Sequence, residues 1–247
     1  MNTVLITGCS SGYGLETARY FLDRDWNVIA TMRTPSDVMP PAPRLRVLPL
    51  DVTDPESIRR TVEAAGPIDV LVNNAGIGLI SAFESTSLET VREIFDTNTF
   101  GTMALTHAVL PQFRERKSGV IVNVTSTVTL RPLLLLSVYT ASKAAINAFT
   151  ESLALELETF NIRVRLVLPG ASSETRFGEN ARPRMGSSTS EPYAALAQGL
   201  FASMAEPHPF TRSHDVAEAV WRAATDPSSP MRIPAGADAL ALASWAQ

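Results

Sequence analysis

Two side chains four positions apart, Tyr139 and Lys143, are of types that can move a proton together. On a helix that spacing puts both on one face, one turn apart. Carbonyl reduction needs a proton donor for the developing alkoxide, and alcohol oxidation needs a base for the hydroxyl. A free tyrosine, with a pKa near ~10, is a poor base at neutral pH. Bringing it near 7 takes about 3 units, or roughly 4 kcal/mol, and a neighbouring ammonium acts in that direction. Taken alone, a Tyr and a Lys at helical spacing usually mean nothing, so their surroundings decide. Ser126 lies thirteen residues before the tyrosine, past an apolar run Val120-Ile121-Val122-Asn123-Val124, with Thr125 and Thr127 beside it. At the chain start, Thr7-Gly8-Cys9-Ser10-Ser11-Gly12-Tyr13-Gly14 links an apolar run to a helical pattern. Glycines there let the backbone turn sharply and bring helix-start N–H groups against a pyrophosphate. The spacing G-x-x-x-G-x-G departs from the common dinucleotide fingerprint G-x-G-x-x-G, and a plain tight turn is the competing reading.

Short β-branched runs predict the strands that must hold these residues: 3–7, 27–32, 46–50, 69–72, 120–124 and 163–168, with a short strand near Arg232. Most are apolar on both faces, as in a buried parallel sheet. Helical patterns fill the intervals at 12–23, 55–65, 88–115, 138–159, 193–204 and 213–225. Asp54 before Pro55 has the form of an N-cap followed by proline at the first helical position. The alternation predicts an α/β, doubly wound sheet with ligands at the carboxyl ends of its strands. Two stretches break the rhythm. Residues 34–44 hold four prolines and read as a surface excursion. Residues 171–212, rich in Ser, Gly, Pro and Arg, follow a strand end and read as a substrate lid within one domain spanning 1–247.

Composition narrows the class. The chain has 247 residues, 45% hydrophobic and 19% charged, as expected of one globular domain. A net charge of -4 without a basic run argues against nucleic acid. One cysteine, Cys9, cannot make a disulfide within the chain or a cysteine-rich zinc site. No metal is expected: His208 and His214 lack ligand spacing, and His107 reads as packed or solvent-facing. The first residues read as a strand rather than a signal peptide, and no apolar run approaches the roughly 20 residues a membrane span needs. The expectation is a cytoplasmic enzyme. The stripe Ala144, Phe149, Leu153, Leu157 reads as packing, part of it against a partner subunit.

The glycine loop, Asn73-Asn74-Ala75-Gly76 and the Tyr139-x-x-x-Lys143 pair, in that order and spacing, resemble the short-chain dehydrogenase/reductase family across essentially the whole chain. The resemblance implies a Rossmann-type fold with seven parallel strands and helices on both faces, NAD(P) along the strand ends, and a dimer or tetramer. It implies that Ser126 polarises the substrate oxygen, with Thr125 or Thr127 open as a one-residue shift. It implies that Tyr139 is the acid/base, helped by the positive charge of oxidised nicotinamide, and that Lys143 also holds the nicotinamide ribose. Asn98 resembles the residue that bends a helix and holds a water in a proton relay; capping a broken helix is the compatible alternative.

For the cofactor, Gly8, Ser10, Ser11, Gly12, Tyr13 and Gly14 form the phosphate loop. Asp51 and Val52 resemble the adenine pair, and Asn73, Ala75 and Gly76 the stretch that supports the sheet and lines the adenosine ribose. The second strand ends Ala30-Thr31-Met32-Arg33 without the carboxylate that binds a ribose 2′-OH in NAD enzymes. Arg33 suits a 2′-phosphate, which Ser11 also reaches by resemblance, so NADPH is expected; a solvated loop arginine is the alternative. Pro169 and Gly170 resemble the turn over the nicotinamide. The threonine that follows in the family is Thr175 here, one residue late, and Ser173 is the alternative. Leucines 133–136 with Leu130 form an apolar wall, with Phe177, Met185 and Tyr193 as its cover, so a mainly apolar ketone or alcohol is expected. The expected function is ketoreductase or alcohol dehydrogenase. The rivals are a catalytically silent NADP sensor and a nucleotide-sugar epimerase or dehydratase.

Overall fold

Within β1 (Thr3–Ile6), Val4 and Ile6 face one apolar layer and Leu5 faces the other. That two-sided burial requires helices on both faces of the sheet. The computed structural model describes residues 2–172, 174–181, 184, 191–205 and 210–245, with side chains for all of these except 177, 191, 201, 203–205 and 245. Its further strands are β2 (Asn27–Met32), β3 (Leu45–Pro49), β4 (Val70–Asn73), β5 (Gly119–Val124), β6 (Ile162–Pro169) and β7 (Arg232–Ala235). The helices are α1 (Gly12–Leu22), α2 (Pro55–Ala65), α3 (Leu88–Phe95), α4 (Gly101–Arg116), α5 (Ser137–Leu157), α6 (Phe177–Ala181), α7 (Ala194–Ala205), α8 (Ser213–Thr225) and α9 (Ala237–Trp245).

The seven strands form one parallel sheet in the order β3-β2-β1-β4-β5-β6-β7. The order reverses between β1 and β4, which opens a crevice at their carboxyl ends. Ala18 and Phe21 of α1 and Val216 and Val220 of α8 cover one face. Ile58 of α2, Leu105 and Phe113 of α4, and Leu153 and Leu157 of α5 cover the other. The last two belong to the apolar stripe read from the sequence, and they lie in the core.

Asp54 caps α2 as its sequence predicts, accepting from Glu56 N–H at 2.9 Å ahead of Pro55. Strand bounds move by about a residue: β4 includes Asn73 and β6 includes Pro169. The edge strand β3 is only partly buried, since one side has no neighbour.

Three differences are larger. The 88–115 pattern is two helices joined by a π-helical turn at Asp96–Phe100. The 193–204 pattern starts as a 3₁₀ turn at Glu191–Tyr193 before α7. Neither α6 nor α9 follows from the sequence periodicity, α6 being one turn long and α9 nearly uniform in apolar character. No helix among the described residues is long and apolar enough to cross a membrane. Nor do they hold a group of three or more His, Cys, Asp or Glu suited to a metal.

Candidate active site

The glycine loop leaves β1 and enters α1 with Gly8 and Gly12 at φ of +73° and +55°, left-handed values that glycine adopts without strain. Ser11 stands at the N-cap of α1, but its hydroxyl makes no capping bond. Thr7 and Asn74 hold the loop against β4. The Thr7 hydroxyl accepts from Asn74 N–H (2.9 Å) and Ala75 N–H (2.8 Å), and Asn74 Nδ2 donates to the Thr7 carbonyl (2.8 Å). Gly14 packs on the Gly8 carbonyl. Cys9 is fully buried, and burial pushes its thiol up to about 12, so it is inert.

At the carboxyl end of β5 the chain passes through Thr125 to Ser126, whose hydroxyl accepts from Val128 N–H and is near enough to Tyr139 to lower its pKa. The buried Thr125 hydroxyl has no partner among the described residues. Tyr139 and Lys143 stand one turn apart on α5, and both are buried. Lys143 Nζ donates to the Val124 carbonyl at 3.1 Å and lies 6.0 Å from the centre of the Tyr139 ring. A Cβ on Gly76 would stand 3.2 Å from Asn98 Oδ1 and 3.3 Å from Lys143 Nζ, so these two groups converge over the end of β4. Asn98 is held there by the π-turn. It accepts from Ile77 N–H (2.8 Å) and donates to the Ile77 carbonyl (3.0 Å) and the Ser142 hydroxyl (3.1 Å).

Burial sets the electrostatics. It holds the Tyr139 phenol well above its ordinary pKa, the nearby Ser126 hydroxyl working weakly against it. This reverses the expected direction: in the chain by itself, Lys143 does not offset the desolvation. The same burial lowers Lys143 from 10.5 to about 8. Between about 8 and 10.5 the unfolded chain therefore holds more protons than the folded one, and stability rises with pH across that window. Below it, the buried charge destabilises the fold by on the order of 3 kcal/mol. Relative to Lys143→Met, the wild type is expected to gain about that much between about pH 7 and 10.5 in urea unfolding. A pH-independent difference would mean that Lys143 keeps an ordinary pKa.

Past the end of β3, Asp51 Oδ1 accepts from the Thr53 N–H (2.9 Å) and hydroxyl (2.7 Å). Partial burial raises its pKa, but those bonds and the nearby Arg33 charge outweigh it and leave the carboxyl below its usual range. Arg33 is exposed just past β2, whereas Met32 is 3% exposed and packed in the core.

Residues 2–186 match the family model described as short chain dehydrogenase. The chain belongs to the short-chain dehydrogenase family. Human retinol dehydrogenase 8 is 42% identical over 180 residues, which is 68% of this chain and 58% of that protein. The match thus spans less than two thirds of this relative's length. A short-chain dehydrogenase from Streptomyces avermitilis superposes with a TM-score of 0.81 at 33% identity, covering 99% of this chain and 91% of the other. A family member from Burkholderia cenocepacia, solved with NADP, gives 0.79 at 27% identity and covers 98% and 91%.

Gly8 and Gly14 of the loop pack directly against Ala75 and Asn74 past the end of β4, and Gly76 comes close to Asn98 and Lys143. Val52 packs on Gly101 at the start of α4. Thr175 touches Gly12, its methyl 3.1 Å from where a Cβ would stand. Asn73 is turned away: Nδ2 donates to Thr106 Oγ1 (3.1 Å) and Asn123 Oδ1 (2.8 Å), so its side chain supports the sheet. Ser173, Met185 and His208 lie outside the described residues, as does the Phe177 side chain. His107 is exposed.

Sequence reasoning missed Thr7 and Asn74, although both stand inside the motifs it used. It also missed a contact of Tyr13. Burial pushes that hydroxyl up to about 12, a hydrogen bond with Ser172 opposes the rise, and Asp238, Glu174 and Asp215 add to it.

Proposed function

We propose that this chain is an NADPH-dependent oxidoreductase acting on a carbonyl or secondary alcohol of a mainly apolar substrate. The observation that carries the reading is the buried Tyr139 and Lys143 one turn apart on α5, with Lys143 Nζ bonded to the Val124 carbonyl at the end of the strand that leads to Ser126. The residues present fit a dinucleotide. The left-handed Gly8 and Gly12 open the start of α1 to a pyrophosphate, and exposed Arg33 follows a strand end without a carboxylate. The cofactor, when bound, supplies or accepts the hydride.

The chain's own groups handle the oxygen. Ser126 donates to the substrate carbonyl and polarises it, and Tyr139 gives its proton to the oxygen as negative charge develops. A phenol raised by burial stays protonated at neutral pH, which suits it to reduction. Oxidation would need the positive nicotinamide and Lys143 to favour the phenolate. Lys143 carries charge beside the phenol and is placed to meet the ribose, and Asn98 steadies the loop over it.

The expected apolar wall is partly open. Leu133 and Leu134 are 45% and 56% exposed, while Leu130, Leu135 and Leu136 are half-buried. A relative named for retinol agrees with an apolar substrate. Following NADPH consumption with a ketone panel tests the proposal. Aryl and long alkyl ketones are expected to exceed aldoses and charged keto acids by at least about tenfold in kcat/KM. NADPH binding without turnover of any substrate would favour a sensor. A nucleotide-sugar product without net cofactor use would favour an epimerase or dehydratase.

A further inference from the structure

The 171–212 segment begins and ends at one place. Thr211 N–H donates to the Ala171 carbonyl at 2.7 Å, and Gly170 N–H donates to the Thr211 hydroxyl at 2.9 Å. Thr211 is fully buried, and its hydroxyl hydrogen lies between the Ala235 carbonyl (2.8 Å) and Asp238 Oδ1 (2.7 Å). Asp238 Oδ2 accepts from Ala171 N–H at 2.7 Å. One carboxylate therefore holds the outgoing limb directly and the returning limb through Thr211. A Cβ on Gly170 would collide with that carboxylate, so a side chain there would have to displace Asp238. Ser213 N–H, donating to Glu174 Oε2 at 2.7 Å, adds a second rung.

From the outgoing limb, Ser172 reaches Tyr13 and Thr175 covers Gly12. Two further ties of the segment, Arg184 to Glu93 (2.6 Å) and Tyr193 to Glu84 (2.7 Å), are exposed bonds that solvent weakens. The charge-assisted bond from the fully buried Thr211 to Asp238 at the root is better shielded.

We propose that Asp238 is a positioning residue: with Thr211 it sets where the outgoing limb at Ala171, Ser172 and Thr175 lies against the glycine loop, and so how substrate is captured at Tyr139. The functional half rests on the reading above; the clamp does not. Thr211→Val removes the hydroxyl at nearly constant volume, and Thr211→Ser keeps it. Asp238→Ala removes both accepting oxygens, so neither limb keeps its carboxylate contact.

In the unliganded protein, tryptic cleavage after Arg176 is expected to quicken at least about tenfold in Thr211→Val and Asp238→Ala, and to stay near wild type in Thr211→Ser. With NADPH and the best ketone of the panel, the ketone KM is expected to rise about tenfold in those two variants, with kcat within about twofold. Ser126, Tyr139 and Lys143 stand outside the clamp, which is why kcat holds. Wild-type cleavage rates in both variants would overturn the proposal. So would a matched fall in kcat and thermal stability with cleavage spread along the whole chain, which would mark the pair as general packing. A protein that consumes no NADPH would count against the functional reading alone, because cleavage of the unliganded chain still decides the clamp.

Discussion

Tyr139→Phe is expected to bind NADPH as the wild type does while losing about 10²- to 10⁴-fold in kcat, the usual loss for a well-placed proton donor. The ring stays in its buried place on α5, so packing changes little. Ser126 loses the neighbouring phenol hydroxyl and keeps its Val128 N–H contact. Cofactor fluorescence and single-turnover rates separate the two effects. A Phe variant with near-normal kcat would remove Tyr139 from the mechanism. Ser126→Ala is expected to impair kcat as well. If Thr125→Ala carried that defect instead, the serine would be misplaced by one residue.

Cofactor choice offers the second large effect. NADPH is expected to exceed NADH in kcat/KM, because exposed Arg33 can pair with a 2′-phosphate and no carboxylate ends β2. A charge-assisted hydrogen bond contributes roughly 1.5–3 kcal/mol net, or about 10- to 150-fold. The reversal should be built at Arg33 and not at Met32, since a carboxylate at the buried Met32 would be desolvated in the core. Arg33→Asp replaces the partner of the phosphate with a group that repels it and can accept from a ribose hydroxyl. The ratio of kcat/KM for the two cofactors is expected to invert. A wild type that prefers NADH would reduce Arg33 to a solvated surface residue.

Strand and helix order was legible because two-sided apolar runs such as 120–124 and amphipathic stretches such as 55–65 report the layers they face. The glycine loop and the Tyr139–Lys143 spacing were legible because their geometry is local. What escaped is nonlocal or balanced. The Tyr139 pKa depends on how much burial the whole fold imposes, and spacing does not carry that quantity. For the Asn73–Gly76 stretch the sequence offered both support of the sheet and lining of the ribose. The Asn73 side chain takes the first role, bonded to Asn123, and the motif did not say which residue would do so. Asp238 and Ala171 stand 67 residues apart without a motif joining them. The nine residues of α9 lack a polar face to give a helical period.

The π-turn at Asp96–Phe100 bears on which length changes this chain could tolerate over evolutionary time. Such a turn holds one residue more than an α-helical turn, and each helical residue rotates the chain by about 100°. Losing any one of these five residues would let α3 and α4 fuse into a straighter helix with better backbone hydrogen bonds. The same loss would swing α3 around its axis, taking Ile94 out of its packing with Leu79 and Val138, and would carry Asn98 away from Ile77 and Ser142. Single-residue deletions here should therefore be rare among active descendants, although each would make the local helix more regular. Substitutions that keep the length at 96–100 should be accepted far more often, with position 98 the exception.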